Sequence, residues 1–349
     1  MKDDRMELTP KLRFPEFEDG PAWEERKLGD VISTITPPKK LPTTSYRPKG
    51  SIPIVDQSPE LVCGWTDDTE ALIESTQPVI VFGDHTCVLK LVRGPFAQGA
   101  DGIKIFHSEP LIDTEYLFHN LSNRPLVMED YKRHFSILKE RRVHYPGPRT
   151  TEQRKIAACL TSLDEWIAAD GRKLEALRTH KKGLMQQLFP RQGESRPRFR
   201  FPEFRDGAEW EEKMLGNEGT FLSSLTGKAG NDFDHGEAKF IPYMNVFSNT
   251  FVDVHDLRVV DVAEDESQNA VMQGDVFFTV SSETPEDAGM ASVLLEPIEN
   301  CYLNSFCALF RFDAEKRPNL VFLGYLLRTA APRSHLSRGA QGATRYNIS

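Results

Sequence analysis

Pro10-Lys-Leu-Arg-Phe-Pro-Glu-Phe-Glu-Asp-Gly-Pro-Ala-Trp-Glu-Glu-Arg-Lys-Leu-Gly29 returns without a gap as Pro197-Arg-Phe-Arg-Phe-Pro-Glu-Phe-Arg-Asp-Gly-Ala-Glu-Trp-Glu-Glu-Lys-Met-Leu-Gly216. Arg13, Phe14, Pro15, Phe17, Gly20, Trp23, Leu28 and Gly29 thereby recur as Arg200, Phe201, Pro202, Phe204, Gly207, Trp210, Leu215 and Gly216. The sequences that follow the two copies are unlike. The chain is a tandem duplication, and its spacing of roughly 190 residues divides the 349 residues as the usual domain-length prior does. A frame kept twice with different inserts is suited to presenting two different surfaces.

Between the copies lies the one long periodic segment. Ile156, Leu160, Leu163, Ile167, Asp170, Leu174, Leu177, Lys181, Leu184 and Leu188 follow an alternating four-three spacing, the seam of a coiled coil. Thr150 with Gln153 after Pro148 has the form of a capping box, and Pro190 stops the pattern after Phe189. At 1.5 Å per residue such a helix is about 60 Å long and can act as a spacer. Asp170, next to Gly171, and Lys181 interrupt the seam. They either select an antiparallel mate or mark a bent or exposed turn.

The two inserts repeat one plan. In the first, Ser51–Val55, Pro78–Phe82, Thr86–Val92 and Gly102–Phe106 are short β-branched runs bounded by Gly, Pro and Asp, followed by a helical stretch from Leu111 to Leu121. In the second, Lys239–Tyr243, Asp275–Val280, Ala291–Leu295 and Cys307–Phe312 come in the same order, with a helix from about Leu320 to Arg328 or a little beyond. The expected fold class is α/β (α+β): a mixed domain over 10–148, a coiled-coil helix over 149–190 and a second mixed domain over 191–349.

Composition excludes several classes. Hydrophobic residues at 39% and charged residues at 27% are ordinary for a globular protein. No apolar run approaches the ~20 residues that cross a bilayer. The opening Met1-Lys-Asp-Asp-Arg5 is too charged for a secretory signal, so a cytoplasmic protein without a membrane partner is expected. Cys63, Cys87, Cys159, Cys301 and Cys307 are odd in number and never in a Cys-x-x-Cys pair, which points to free, largely buried thiols rather than disulfides or zinc. The net charge of −9 argues against a generic nucleic-acid binder, whose affinity rests on Lys and Arg neutralising phosphates. Yet residues 131–200 hold 17 basic and 7 acidic residues, leaving −19 for the rest, so positive charge gathers at the junction between the copies.

Catalytic equipment is not legible. There is no Asn-Pro-Pro-Tyr-like tetrapeptide, dinucleotide glycine fingerprint or Gly-Lys-Thr phosphate loop for methyl transfer or ATP use, so neither cofactor nor metal is expected. Gly83-Asp-His-Thr86 sets an acid beside a histidine, but neighbours on a strand point to opposite faces and do not converge. Asp261, Glu264, Asp265 and Glu266 cluster in a polar stretch that reads as a solvated loop rather than a metal site.

Together these features resemble the specificity subunit of type I restriction-modification systems, over nearly the whole chain. The resemblance rests on the Arg-Phe-Pro-Glu-Phe…Trp-Glu…Leu-Gly opening of both copies, and on Phe82-Gly-Asp-His-Thr86 and Phe96-Ala-Gln-Gly-Ala-Asp-Gly102 in the first insert. Gly274-Asp-Val-Phe-Phe-Thr279 and Asn304-Ser-Phe306 carry it in the second. Thr150-Thr-Glu-Gln-Arg-Lys-Ile156 and Lys182-Gly-Leu-Met-Gln-Gln-Leu-Phe189 carry it at the two ends of the helix. It implies two target recognition domains, each reading one half of a split DNA sequence. A helix carrying Ile156, Leu160, Leu163, Ile167, Leu174, Leu177, Leu184 and Leu188 would hold them apart and dock methyltransferase subunits, through which the restriction subunit joins. Methylation and cleavage then belong to the partners, and this chain is not an enzyme.

In that family a second long helix follows the second domain and pairs with the first, whereas this chain stops at Gly339-Ala-Gln-Gly-Ala-Thr-Arg-Tyr-Asn-Ile-Ser349. The C-terminal conserved helix is therefore expected to be missing. Its place on the seam would be taken by a helix of a second copy or of a methyltransferase subunit, or else stability would be impaired. A rival reading is an interaction scaffold that no longer binds DNA and dimerises or titrates restriction-modification subunits.

Double-stranded DNA asks for Lys or Arg at phosphates and for Arg, Asn, Gln or Ser at base edges. The candidates in the first half are Lys39, Lys40, Arg47, His85, Thr86, Arg124, Lys132 and Arg133. In the second they are Lys228, Asn231, Asn245, Ser281, Ser282, Arg333, Arg338, Thr344 and Arg345. The loop from Gly339 to Arg345 stands out, because its glycines permit close backbone approach. The repeated Phe14, Phe17 and Trp23, with Phe201, Phe204 and Trp210, read as core or docking anchors: one aromatic set before two dissimilar inserts cannot confer two specificities.

Overall fold

An unbroken apolar run such as Val79-Ile-Val-Phe82 has to be covered on both faces if it forms a strand, and that requirement sets the layers of the first half. The computed structural model describes residues 10–128, 133–147, 150–263, 265–342 and 344–348. In it Ile80 and Phe82 enter a core with Leu28, Tyr116, Leu117 and Phe135. Val79 and Val81 enter another with Val55, Ile73 and Phe96. Alternate residues serve opposite faces, as the two-residue period of a strand requires.

The chain forms two compact units divided between Arg172 and Lys173. The first contains β1 (Glu24–Lys27), β2 (Ile32–Ile35), β3 (Ile52–Val55), β4 (Gly64–Thr66), β5 (Leu72–Ile73), β6 (Val79–Gly83), β7 (Leu89–Val92), β8 (Phe96–Gln98), β9 (Ile103–Ser108), α1 (Thr114–Ser122), α2 (Phe135–Lys139) and β10 (Arg142–Tyr145). An antiparallel sheet has the order β2-β9-β6-β7. A second has the order β4-β3-β8-β5, with β3 and β8 parallel. Asp113 caps α1 by accepting from the amides of Glu115 and Tyr116, and the helix buries Tyr116, Leu117 and Leu121. β10 returns to pair with β1.

The helix α3 (Thr151–Leu188) follows, continuous over 38 residues or about 57 Å. Ala157 is buried and Ile156 packs on the first unit's core. Farther along, Leu160, Leu163, Ile167, Leu174, Leu177 and Leu184 stay exposed, Ile167 to 70%. Leu188 is half-buried. The capping box does not close as expected. Gln153 is wholly buried, and its side chain instead accepts from the Asp113 amide and donates to the carbonyls of Leu111, Pro146 and Gly147. Lys181 is exposed, with its ammonium 4.9 Å from the Tyr325 ring centroid.

The second unit contains β11 (Gly219–Leu222), β12 (Phe233–Ile241), α4 (Tyr243–Ser248), β13 (Arg258–Val260), β14 (Val276–Thr279), β15 (Ser281–Ser282), β16 (Ala291–Val293), β17 (Cys301–Leu303), β18 (Cys307–Phe312), α5 (Leu320–Leu327), α6 (Ala330–Arg338) and β19 (Tyr346–Asn347). Its sheets run β11-β18-β14-β16 and β13-β12-β17, with β12 and β17 parallel. Phe277 enters the core of Ile241 and Leu303, while Val276 and Phe278 meet Leu323 and Leu327 of α5. The layers and strand order follow those of the first unit, except that β5 has no counterpart among the described strands. Tyr243, expected at the end of a strand, opens α4 instead, because Pro242 ends the ladder and suits the start of a helix.

Backbone hydrogen bonds fix how the two units correspond. Gly99 N–H donates to Val55 O as Asn304 N–H donates to Ile241 O. Asp84 N–H donates to Gly102 O as Val280 N–H does to Phe306 O, and His134 N–H donates to Asp84 O as Ile348 N–H does to Val280 O. Counting from these anchors, Gln57 corresponds to Tyr243, His85 to Ser281, Thr86 to Ser282 and Gly102 to Phe306.

Candidate nucleic-acid interface

Three loops of the first unit meet where β3, β6 and β8 end, forming a crest. Thr86 Oγ1 donates to Gln57 O at 2.9 Å, and Asp84 is buried, its carboxylate accepting from the Phe135 amide at 2.8 Å. Gly102 has φ +100°, and a Cβ there would lie 2.9 Å from Gln57 Oε1 and 3.1 Å from His85 Cδ2. Glycine is what lets the loop pass so close. Beneath it, Tyr46 Oη accepts from the Ala100 amide at 2.8 Å and donates to Asp56 at 3.2 Å. Lys90, 5% exposed, donates to Asp56 O at 2.7 Å. Burial pulls the Lys90 pKa below the ordinary lysine value, against the opposing pull of Asp56.

The same crest in the second unit has different chemistry. Tyr243 Oη donates to Ser281 O at 2.8 Å, and its ring stacks on Phe247 at 5.9 Å between centroids. Phe306, where the first unit has Gly102, is 51% exposed. β19 pairs with β15 and brings the Arg345 guanidinium 5.9 Å from the Phe306 ring. These groups, with Met244, Glu283 and Asp287, line a cleft of about 370 Å³. α4 is held from below by Arg328, which donates to the carbonyls of Val246, Phe247, Asn249 and Ala291 at 2.6–3.1 Å. With no carboxylate among those bonds, burial draws its pKa down to about 10.

Of the residues singled out in the sequence, His85 and Thr86 lie on the first crest, and Ser281, Ser282, Thr344 and Arg345 on or beside the second. Lys40 reaches Asp101 in the Gly102 loop at 2.5 Å. Other candidates are engaged elsewhere. Lys39 is paired with Asp68 and Glu70, and Arg47 with Asp67. Lys228 is held by Glu266, whose pKa falls to about 2, first through Lys228 and then through the Ala263 amide and Gln268. Asn245 is fully buried: its amide nitrogen donates to the carbonyls of Asp253 and Asp256, and its oxygen accepts from the Asp253 amide. It shapes the loop after α4 rather than facing a partner. Arg333 donates to the carbonyls of Ala288 and Glu286, and Arg338 to Gln192.

Arg124 lies beyond α1, beside Trp23, Arg142 and His144, away from the crest. Arg133 and Asn231 are exposed. Lys132 lies outside the described residues, as does Glu264 of the acidic cluster. Among the described residues no three His, Cys, Asp or Glu side chains gather as a metal site. No helix of the described residues is long and apolar enough to cross a membrane. Cys87, Cys301 and Cys307 are buried, Cys63 is half-buried and Cys159, on α3, is exposed.

Sequence reasoning missed Gln57, Tyr46, Lys90, Tyr243, Phe247 and Arg328. Only Tyr243 and Phe247 left a trace, as aromatics one helical turn apart after a proline.

The repeated opening acts as an anchor in the first unit. Arg13 makes a buried bidentate pair with Glu152 of α3, at 2.8 and 2.7 Å, while Lys155 lies 4.6 Å from the Phe14 ring centroid and pairs with Glu16. Trp23 meets Tyr116 edge to face. In the second unit Trp210 packs on Phe189 and Phe322. Phe201 and Phe204 are exposed to 52% and 61%.

Two units with one strand order and unlike loops define a duplicated α/β architecture, and solved structures with that architecture exist. The S subunit of a type I restriction-modification system from M. genitalium aligns over 95% of this chain and 82% of its own, with 15% identity and a TM-score of 0.59. The chain has the fold of that S subunit. A chain from a structure on complex assembly and conformational transition of the type I R-M system aligns over 94% and 83%, with 17% identity and a TM-score of 0.45. The HsdS subunit from Thermoanaerobacter tengcongensis aligns over 98% and 87%, with 17% identity and a TM-score of 0.37. Fold identity rests on the first of the three. No protein-family model and no curated protein matches the chain.

Proposed function

We propose that this chain is the sequence-recognition subunit of a type I restriction-modification complex in the cytoplasm. The domain at 10–148 reads one half of a bipartite target and the domain at 191–349 the other. The helix at 149–190 spaces them and docks methyltransferase subunits, with methylation and cleavage carried by partner subunits. One observation carries the reading: backbone positions equivalent to the hydrogen bond hold unlike side chains at the two crests, Gln57 against Tyr243 and Gly102 against Phe306. A conserved frame with exchanged loop residues suits two readers of different sequence. The exposed seam of α3 supports a docking role, met by methyltransferase or by a second copy.

A second reading is favoured by a separate fact. Lys39, Lys40, Arg47 and Lys228 are all ion-paired within their own unit, and the chain carries −9 overall. A scaffold that binds partners without DNA has these properties. Mixing the chain with methyltransferase subunits and a pool of random duplexes separates the two. A DNA reader enriches a two-part motif with a fixed gap, while a scaffold forms the protein complex and enriches nothing.

A further inference from the structure

The cleft on the second crest has a composition that tells what it can hold. A phosphate is disfavoured there, because Glu283 and Asp287 share the lining with Arg345, the one cation among the described lining residues. The polar end of Tyr243 is spent on Ser281 O, which leaves its ring as apolar wall. Met244 and Phe306 are 57% and 51% exposed inside the same cleft, where the first unit has Ser58 and Gly102 at the equivalent positions. Two large apolar side chains lining one cleft with a polar rim suit a small apolar group of an occupant. The Asn304 side chain holds the Phe306 amide at 2.9 Å, so the ring is presented by a fixed turn.

In the major groove the apolar group on offer is the C5 methyl of thymine, which phenylalanine and other apolar side chains contact, while arginine reads guanine. We propose that the second crest selects its half-site through a 5-methylpyrimidine seated against Phe306 and Met244, with Arg345 reading a neighbouring base, and that the first crest does not use methyl contact. This deepens, and rests on, the DNA-reading role proposed above. The inequality of the two crests is its content: where the second crest has Phe306 and Met244, the first has Gly102 and Ser58, which offer no large apolar wall at those positions.

The test uses the full chain with methyltransferase subunits and the two-part duplex enriched from the random pool. Each thymine of the duplex is replaced in turn by deoxyuridine, which removes only the methyl group. One replacement in the second half-site is expected to weaken binding about fourfold, the effect of one buried methyl, and none in the first half-site to do so. Phe306→Ala and, separately, Met244→Ala should bind thymine and uracil duplexes equally while keeping the first half-site preference. Both side chains are largely exposed, so neither change threatens the fold. Uracil tolerated throughout the second half-site by the unaltered chain overturns this inference and leaves the DNA-reading role standing. Discrimination that survives in either variant also overturns it. Failure to enrich any two-part duplex overturns the DNA-reading role and this inference together.

Discussion

Arg13 and Arg200 hold the same place in the same repeated stretch, yet only one of them is tied across the fold. Arg13 donates to Gly20 O and Arg200 to Gly207 O, each at 2.8 Å, so the local turn is the same in both units. Arg13 then pairs with Glu152 at 6% and 4% side-chain exposure. Arg200 adds only the nearby carbonyls of Phe204 and Ala208. The turn of the motif is therefore held by local contacts, and its long-range value depends on what the rest of the unit supplies. The crests teach the same lesson: the frame is common, but a lysine on β7 props the first and an arginine after α5 props the second.

The largest expected effect breaks the second prop. Arg328→Ala leaves four carbonyls without their donor and should cost the second unit about 3 kcal/mol or more. Segment-resolved hydrogen exchange should show the loss at α4 and not in the first unit. Arg328→Lys should recover little, since an ammonium lacks the planar fork. Next comes the paired comparison of the repeated arginines. Arg13→Ala strands the buried Glu152 carboxylate and should cost the first unit about 2 kcal/mol, whereas Arg200→Ala should cost less than about 0.5 kcal/mol. Urea unfolding of the full chain measures both, and equal effects would erase the contrast.

The smallest effect concerns His119, which ties α1 to α3 through Thr161 Oγ1 at 2.9 Å. Burial lowers its pKa below 6.5, against the opposing pull of Asp164 and Glu115 and with help from Arg93. The folded state thus favours the neutral ring. Its contribution is present above pH 6.5 and is lost as pH falls through the lowered value. Acidification should open the α1–α3 contact first, and His119→Gln should remove that pH dependence from hydrogen exchange of α1.

The duplication, the long helix and the order of the main strands were legible because each leaves a periodic or repeated signal. β6 and β14 stood out as apolar runs buried on both faces. β2 and β11 were not recognised, since Ile32-Ser-Thr-Ile35 and Gly219-Thr-Phe-Leu222 are half polar or begin with glycine, and pairing with β9 and β18 makes them strands. On the crest, His85, Thr86, Ser281 and Ser282 were all singled out, but their equivalence was hidden by loops of different length. It became visible only through shared backbone bonds. Asn245 failed as a surface residue because a loop asparagine reads the same whether it faces solvent or three backbone groups. Lys90 and Arg328 were invisible for a similar reason: the carbonyls that hold them come from distant segments.

The independence of the two crests is tested most directly by half-site selection with Arg345→Ala. The full chain and the variant, each with methyltransferase subunits, select from the same random duplex pool. The expected result is a preference relaxed about tenfold at positions of one half-site, with the other half and the gap unchanged. Equal relaxation at both halves, or none at either, would contradict the account.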